Sequence, residues 1–203
     1  MRPARRRVAD RGRWRSRCAH GKRFDREPIE GGYARARMVS ALTLLETDET
    51  PDGRTRWSYI LLVETLRRVS ERPAEDAREL FRRMVFNALI SNIDDHPRNH
   101  AAFAPGPGWR LSPAYDLTPT PLVAEDQRDL AMACGAQGRF ANASNLASEC
   151  RRFLLDPDEA HAIIDEMDAI VRQEWYGVAR GCGVSEADCE AIRRAFVYPG
   201  FRR

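Results

Sequence analysis

The stretch Asn92-Ile93-Asp94-Asp95-His96-Pro97-Arg98-Asn99 is the densest polar cluster in this chain of 203 residues. A further carboxylate, Asp116, follows Asn99 by 17 residues, in the stretch Leu111-Ser112-Pro113-Ala114-Tyr115-Asp116. Between them, short apolar runs at 101–104 and 109–111 flank Pro105-Gly106-Pro107-Gly108, which predicts a β-hairpin. The sequence therefore predicts two polar segments joined by a short hairpin.

The spacing of these polar residues suits the transfer of a phosphoryl group. One carboxylate must orient a hydroxyl and accept its proton, while a second carboxylate and an amide oxygen hold Mg²⁺ against the phosphates of ATP. Asp94 and Asn99 stand in the D-x-x-x-x-N spacing of protein kinase catalytic loops, and Asp116 follows the hairpin. Asp and Asn supply the hard oxygen ligands that Mg²⁺ prefers.

Helical patterns lie on both sides of the cluster. Residues 58–69 read as a helix, and Pro73 begins another that ends near Ser91-Asn92 and buries one face: Phe81, Met84, Val85, Ala88 and Leu89. The segment around Pro51-Asp52-Gly53 reads as a polar loop. The cluster is thus expected directly after a buried helix.

The second half of the chain also reads as helical. We expect one helix capped by Ser144, and a last one capped by Ser185 with Asp188. Between them, Asp156-Pro157 opens a long helix that Gly181 and Gly183 end, with an inner face of Ala160, Ile163, Ile164, Met167, Ile170, Val171 and Trp175. The predicted fold class is mainly α, with a short β-hairpin between the polar loop and Asp116.

Composition narrows the class of protein. With 43% hydrophobic and 31% charged residues the chain reads as globular. No apolar run reaches the roughly 18 residues of a membrane span, and no signal peptide is visible. The 5 cysteines form no CxxC pair, which is typical of reduced thiols in a cytoplasmic protein and does not predict a zinc site.

Charge divides the chain into two parts. Residues 1–17 hold eight Arg and one Asp, whereas the remainder has 25 basic and 29 acidic residues. The body is therefore mildly acidic and does not read as a nucleic-acid binder. We expect residues 1–21 to be an irregular Arg-rich leader and residues 22–203 to form the folded domain.

Three motifs together resemble the HipA family of serine/threonine kinases, which are the toxins of bacterial toxin–antitoxin operons. Arg23-Phe24-Asp25-Arg26 resembles the hinge segment of the family, residues 92–99 resemble its catalytic loop, and residues 111–116 resemble its metal-binding segment. The resemblance runs from about Arg23 to Phe201. It implies a helical C-terminal kinase lobe that transfers phosphate from ATP to a protein.

The resemblance also assigns roles to the polar residues. It implies that Asp94 is the catalytic base and that Asn99 and Asp116 bind Mg²⁺. His96 would brace the loop by hydrogen bonding. From its position alone, Asp95 reads as a structural partner of a nearby Arg or of a backbone N–H.

At the hinge, the resemblance implies that the backbone near Arg23 and Phe24 meets adenine and that Asp25 lies near the ribose. The implied partners are a protein substrate, with aminoacyl-tRNA synthetases among the family's substrates, and a helix-turn-helix antitoxin. DNA would be met only through that antitoxin, and no membrane partner is implied.

The family's N-terminal lobe, with its phosphate-cradling loop and its lysine, is expected to be missing. No glycine-rich loop precedes Arg23, and the single lysine, Lys22, abuts the hinge motif. Three explanations stay open: a truncated or mis-started gene, a separate chain that supplies the lobe, or survival of this lobe as a binding module only.

Two other functions compete with the kinase reading. A catalytically inactive remnant that docks an antitoxin would explain the missing lobe. A metal-dependent phosphohydrolase would explain the Asp, His and Asn cluster. His96 and His100 have the i, i+4 spacing of a metal site on a helix, but Pro97 between them disfavours a regular helix there.

Overall fold

The computed structural model describes residues 23–121, 124 and 127–202, so the predicted Arg-rich leader and Lys22 lie outside the described range. The strands are β1 (Arg26–Ile29), β2 (Gly32–Arg35), β3 (Arg37–Ser40), β4 (Ala101–Ala104) and β5 (Arg110–Leu111). The helices are α1 (Ala41–Leu44), α2 (Pro51–Arg54), α3 (Tyr59–Val69), α4 (Pro73–Leu89), α5 (Ala143–Ser148), α6 (Pro157–Gly181) and α7 (Glu186–Ile192), with short 3₁₀ turns at Pro97–Asn99, Cys150–Phe153, Arg193–Ala195 and Pro199–Arg202.

The core is helical. α4 packs against both α3 and α6, and its apolar face is buried as the periodicity predicts, with Leu80, Phe81 and Met84 fully enclosed. Phe81 meets Phe153 edge-on, with 5.3 Å between ring centroids. The predicted mainly α fold is confirmed.

A three-stranded antiparallel sheet in the order β3-β4-β5 lies beside this core. Ala102 of β4 pairs with Val39 of β3 on one side and with Leu111 of β5 on the other. The hairpin predicted between the two polar segments is therefore β4–β5, and β3 extends it. Since the polar loop at residues 92–99 leads into β4 and the Asp116 segment leaves β5, both segments lie at the same end of these strands.

Three local expectations differ from the structure, and one hairpin lies where none was predicted. Residues 26–35 form the β1–β2 hairpin, which turns at Gly31 with φ of +80°, and residues 51–54 form one helical turn capped by Thr50 instead of a loop. The N-cap of α5 is Asn142, whose side chain accepts from the Asn145 N–H, and Ser144 lies inside the helix. Ile170 is 48% exposed because α6 turns that position away from α4.

The C-terminal segment packs behind the polar loop. The Val197 N–H donates to the Leu89 carbonyl at 2.7 Å, at the last residue of α4. The Ser91 hydroxyl donates to the Ala195 carbonyl at 2.5 Å, and the Tyr198 hydroxyl donates to Ala141 at 2.6 Å. The bonds at Leu89 and Ser91 thus fix the point where α4 gives way to the loop, whereas the Tyr198 bond reaches only Ala141.

None of the helices in the described ranges combines the length and the apolar character needed to cross a bilayer.

Candidate catalytic and metal-binding site

The polar loop begins where α4 ends. Ser91, immediately after the helix cap, has a positive φ of 54°, which redirects the chain out of the helical path. The loop then closes in a 3₁₀ turn over Pro97–Asn99 and enters β4. Pro97 occupies the first position of that turn, where its missing N–H costs no hydrogen bond.

Within the loop, backbone bonds hold the two residues predicted as catalytic base and metal ligand. The His96 N–H and the Asn99 side-chain Nδ2 both donate to the Asp94 carbonyl, at 2.9 and 3.3 Å. The Asn99 N–H in turn donates to the His96 carbonyl at 2.9 Å. The loop is therefore closed on itself. The amide nitrogen of Asn99 is occupied, whereas its Oδ1 atom has no hydrogen-bond partner among the described residues.

Two hydrogen bonds, which we call the clasp, hold the Asp116 segment against this loop. The Tyr115 hydroxyl donates to the Arg98 carbonyl at 2.8 Å, and the Asn92 amide donates to the Asp116 carbonyl at 3.4 Å. Asp116 itself has a positive φ of 59°, a conformation that Asp tolerates better than most residues. The structure thus brings the backbone of the Asp116 segment against the polar loop that contains Asp94 and Asn99.

The side-chain oxygens at this place fit a hard cation. Asp94 and Asp116 are exposed, and neither carboxylate has a hydrogen-bond or ion-pair partner among residues 23–121, 124 and 127–202. Together with Asn99 Oδ1 they offer two carboxylates and one amide oxygen. No group of three or more His, Cys, Asp or Glu able to hold a metal occurs in that same part of the chain. Two carboxylates and one amide oxygen suit Mg²⁺, which keeps several waters and binds substrate phosphates alongside one or two carboxylates.

Unlike Asp94 and Asp116, Asp95 points its side chain into the core, where its carboxylate is 1% exposed. The partners of its Oδ2 atom are the Tyr59 hydroxyl, which donates to it, and His100 Nε2 at 2.8 Å. The arginine or backbone N–H expected from the sequence is not its partner. Burial, and then the nearby Asp95 carboxylate, raise the pKa of Tyr59 well above its ordinary value, so this phenol stays protonated and donates.

His96 is half-buried, with its ring edge-on to Trp57 at 6.2 Å between centroids. Its Nδ1 atom is buried without a hydrogen-bond partner in the described structure. Its backbone bonds to Asp94 and Asn99 agree with the bracing role that the family resemblance implies, although the main chain rather than the ring carries them.

The residues predicted to meet adenine and ribose lie beside the Asp116 segment. The ring of Phe24 stacks on Tyr115 at 5.9 Å and meets Phe103 edge-on at 5.7 Å. Asp25 is held by the Arg23 guanidinium at 2.5 Å and by Arg26 at 3.4 Å. The hydrogen bond from Arg23 lowers the pKa of Asp25 to about 2.

A small cavity of about 90 Å³ follows the backbone from Phe24 to Glu27 and reaches Pro105. This volume is well below that of an enclosed ligand pocket. By itself this cavity is therefore too small to enclose a nucleotide.

A larger open cleft of about 470 Å³ begins at Asp94. Its lining is polar, with the charged side chains Glu49, Arg54, Asp129 and Arg139 in addition to Asp94, and its remaining walls are Trp57, Ile93, His96, Leu130 and Ala131. Sequence reasoning missed this cleft, because its walls come from α2 and from residues 129–139, which carry no motif.

Comparison with known proteins agrees with this geometry. The profile of the HipA-like C-terminal domain matches residues 3–175. The inferred kinase Y4mE of Sinorhizobium fredii (strain NBRC 101917 / NGR234) is 36% identical over 78 residues, which are 38% of this chain and 19% of that protein.

A solved structure of HipA from Shewanella oneidensis MR-1, in complex with HipB and operator DNA, superposes with a TM-score of 0.66 at 19% identity. The match covers 86% of this chain and 45% of the HipA chain, so this chain spans less than half of that relative's length. Since the family profile covers most of the sequence, the chain belongs to the family of HipA-like C-terminal domains.

Proposed function

We propose that this chain is the lobe of a toxin-type serine/threonine protein kinase that carries the catalytic base and the metal ligands. The observation that supports this most is the clasp: it holds Asp116 against the Asp94–Asn99 loop while both carboxylates stay unpaired within the described structure. Membership in the HipA-like family agrees with the proposal.

In this proposal Asp94 orients a Ser or Thr hydroxyl and accepts its proton. The hydroxyl oxygen bonds to the γ-phosphorus of ATP as the bond from that phosphorus to the ADP oxygen breaks. Asn99 Oδ1 and the Asp116 carboxylate would hold Mg²⁺, which neutralises the charge on the phosphates when it is bound. Phe24 and the backbone around it would form one wall of the adenine site, with Asp25 near the ribose.

The acceptor would approach through the open cleft that begins at Asp94. An opening of this size on the surface admits a side chain from another protein, which favours a protein substrate over a buried small molecule. Aminoacyl-tRNA synthetases are the substrates that the family resemblance suggests first.

The test compares charge-neutralised variants of the full chain. Asp116→Asn removes the negative charge of a proposed ligand and is tolerated at positive φ. Asp129→Asn makes the same change on an exposed carboxylate of the cleft wall and serves as the control. By calorimetry with ATP and Mg²⁺ against EDTA, we expect Asp116→Asn to weaken metal-dependent binding at least tenfold and Asp129→Asn to leave it unchanged.

Asp94→Asn should keep that binding and lower phosphate transfer to a protein acceptor by about 10²-fold or more. Absence of any Mg²⁺-dependent nucleotide binding by the wild-type chain would refute the proposal. Equal effects of Asp116→Asn and Asp129→Asn would refute the assignment of the ligand.

For the partner, we propose a helix-turn-helix antitoxin, because the Shewanella HipA was solved with HipB and operator DNA. Contact with DNA would then be indirect, which agrees with the acidic excess of residues 18–203. Co-purification with such a protein encoded beside the gene tests this, and failure to co-purify counts against it. If Asp94→Asn retains the partner, docking is separable from catalysis, as the alternative of a binding module requires.

A further inference from the structure

Five buried polar side chains form one continuous chain of hydrogen bonds beneath the candidate site. They are Tyr59, Asn87, Asn92, Asp95 and His100, and none is more than 2% exposed. His100 Nε2 and the Tyr59 hydroxyl meet Asp95 Oδ2, and Asn87 Nδ2 donates to the Tyr59 hydroxyl at 3.1 Å. Asn92 Nδ2 then donates to Asn87 Oδ1 at 3.1 Å and to the Asp116 carbonyl at 3.4 Å.

This network reaches all three residues that we propose act on the phosphates. Asp95 is the neighbour of Asp94, and His100 is the neighbour of Asn99. At the other end, the Asn92 amide touches the Asp116 backbone directly. Because the backbone of a residue cannot move far when its neighbour is anchored in the core, the network restrains the backbone at the proposed base and at both proposed ligands.

Tyr59 is the point where the two halves of the network join. Its hydroxyl donates to Asp95, which lies in the Asp94–Asn99 loop. The same hydroxyl accepts from Asn87, which begins the half that leads to Asp116. Asp95 Oδ1 is buried without a partner in the described structure, so Oδ2 accepts both hydrogen bonds of this carboxylate. Buried polar networks rigidify a site when they are complete and are costly when they are broken.

We infer that Tyr59 is a positioning residue for phosphate transfer: its hydroxyl fixes the Asp94–Asn99 loop relative to Asp116. This inference rests on the proposed function for its chemical meaning. The restraint on the loop, however, is measurable without catalysis.

Tyr198 supplies a matched control. Both tyrosines are fully buried, and each hydroxyl donates one hydrogen bond, Tyr59 to Asp95 and Tyr198 to the Ala141 carbonyl. Tyr59→Phe and Tyr198→Phe therefore delete the same atom from the core, and only the first deletion cuts the network. We expect both variants to lower the urea midpoint.

The readout that separates them is amide hydrogen exchange within the loop. The N–H groups of His96 and Asn99 donate to loop carbonyls. Tyr59→Phe should speed their exchange at least tenfold more than Tyr198→Phe does. Mg²⁺-dependent nucleotide affinity should likewise fall at least fivefold in Tyr59→Phe alone. Equal exchange in the two variants would overturn the inference.

Failure of this inference can be told apart from failure of the proposed function. If the wild-type chain binds no Mg²⁺-dependent nucleotide but exchange still separates the variants, the restraint stands and the kinase proposal falls. If Tyr59→Phe does not fold, Asn87→Leu cuts only the half that leads to Asp116. That variant should weaken nucleotide binding and leave the Asn99 amide as protected as in wild type, and loss of protection there would count against the inference.

Discussion

Neighbouring acidic residues in this chain serve opposite purposes. Asp94 is exposed and unpaired in the described structure, whereas Asp95 is buried and bonded to Tyr59 and His100. The loop reverses the direction of successive side chains, so one carboxylate faces the cleft and the next faces the core. The carboxylate that we propose as the catalytic base is thus followed directly by one that is anchored in the core.

Asp76 provides a buried anchor of the same kind for the hairpin. Its carboxylate is almost fully buried and accepts from the Leu111 N–H at 2.8 Å, from the Ser70 hydroxyl at 2.6 Å and from Arg110. We predict that Asp76→Ala lowers the free energy of unfolding by about 2–4 kcal/mol, because it leaves buried donors unpaired. Urea denaturation measures this.

Glu75→Ala is the control for that experiment. Glu75 meets the same Arg110 at 3.2 Å but is 60% exposed, so its loss should cost about 0–1 kcal/mol. Similar costs for the two variants would show that Asp76 does not anchor β5 on α4.

The Arg23–Asp25 pair gives a prediction in pH. The hydrogen bond from Arg23 lowers the pKa of Asp25 from 3.8 to about 2. A lowered carboxyl pKa favours the folded state above pH 3.8, and this contribution is lost as the pH falls through about 2. In an NMR titration, Arg23→Gln should move the Asp25 midpoint up toward 3.8, and an unmoved midpoint would contradict the pairing.

At the scale of elements, the sequence predicted those whose pattern is local. The buried face of α4, the opening of α6 at Asp156-Pro157 and the capping pair of α7 follow from residues within a few positions of one another. The β1–β2 hairpin could not be predicted in this way. Its strands are exposed on both faces, so no alternation of apolar residues marks them.

The candidate site likewise combines residues that sequence spacing predicts with residues that only tertiary packing brings together. The spacing of Asp94, Asn99 and Asp116 is written in the sequence, and the structure brings their segments together through the clasp. Tyr59 lies 36 residues before Asp95 and carries no motif, so only packing reveals their contact. Local spacing can predict which groups would react, whereas the supports beneath them depend on tertiary packing.

The start of α6 gives a prediction at this scale. Asp156 accepts from the Glu159 N–H at 2.8 Å, and the Glu159 carboxylate accepts from the Asp156 N–H at 3.1 Å. Asp156→Ala should lower the free energy of unfolding by about 1 kcal/mol. The Glu159 N–H loses its acceptor, and the reciprocal bond from the backbone N–H of residue 156 is no longer held in place. Asp158→Ala, in the same first turn but outside the capping box, should cost about half a kcal/mol or less by thermal denaturation. A cost equal to that of Asp158→Ala would contradict the role of the cap.

For the molecule as a whole, the C-terminal end is part of the core that supports the site. The family profile ends at residue 175, yet Ala195, Val197, Tyr198 and Phe201 are buried. Hydrogen bonds from Val197 to Leu89 and from Ser91 to Ala195 join this segment to the end of α4. The residues that support the Asp94–Asn99 loop therefore extend beyond the region that the family profile covers.

We predict that a chain ending at Ile192 loses cooperative unfolding and Mg²⁺-dependent nucleotide binding together. It lacks four buried apolar side chains, and at about 1.5–3 kcal/mol for each large one the loss approaches the net stability of a typical domain, about 5–15 kcal/mol. Arg193→Ala, which removes only an exposed ion pair with Glu190, should stay within about 0.5 kcal/mol of wild type. Near-ultraviolet circular dichroism during urea denaturation reads the packing directly. A shortened chain that kept both its sharp transition and its nucleotide affinity would mean that the loop draws its support from α4 and the β-sheet alone.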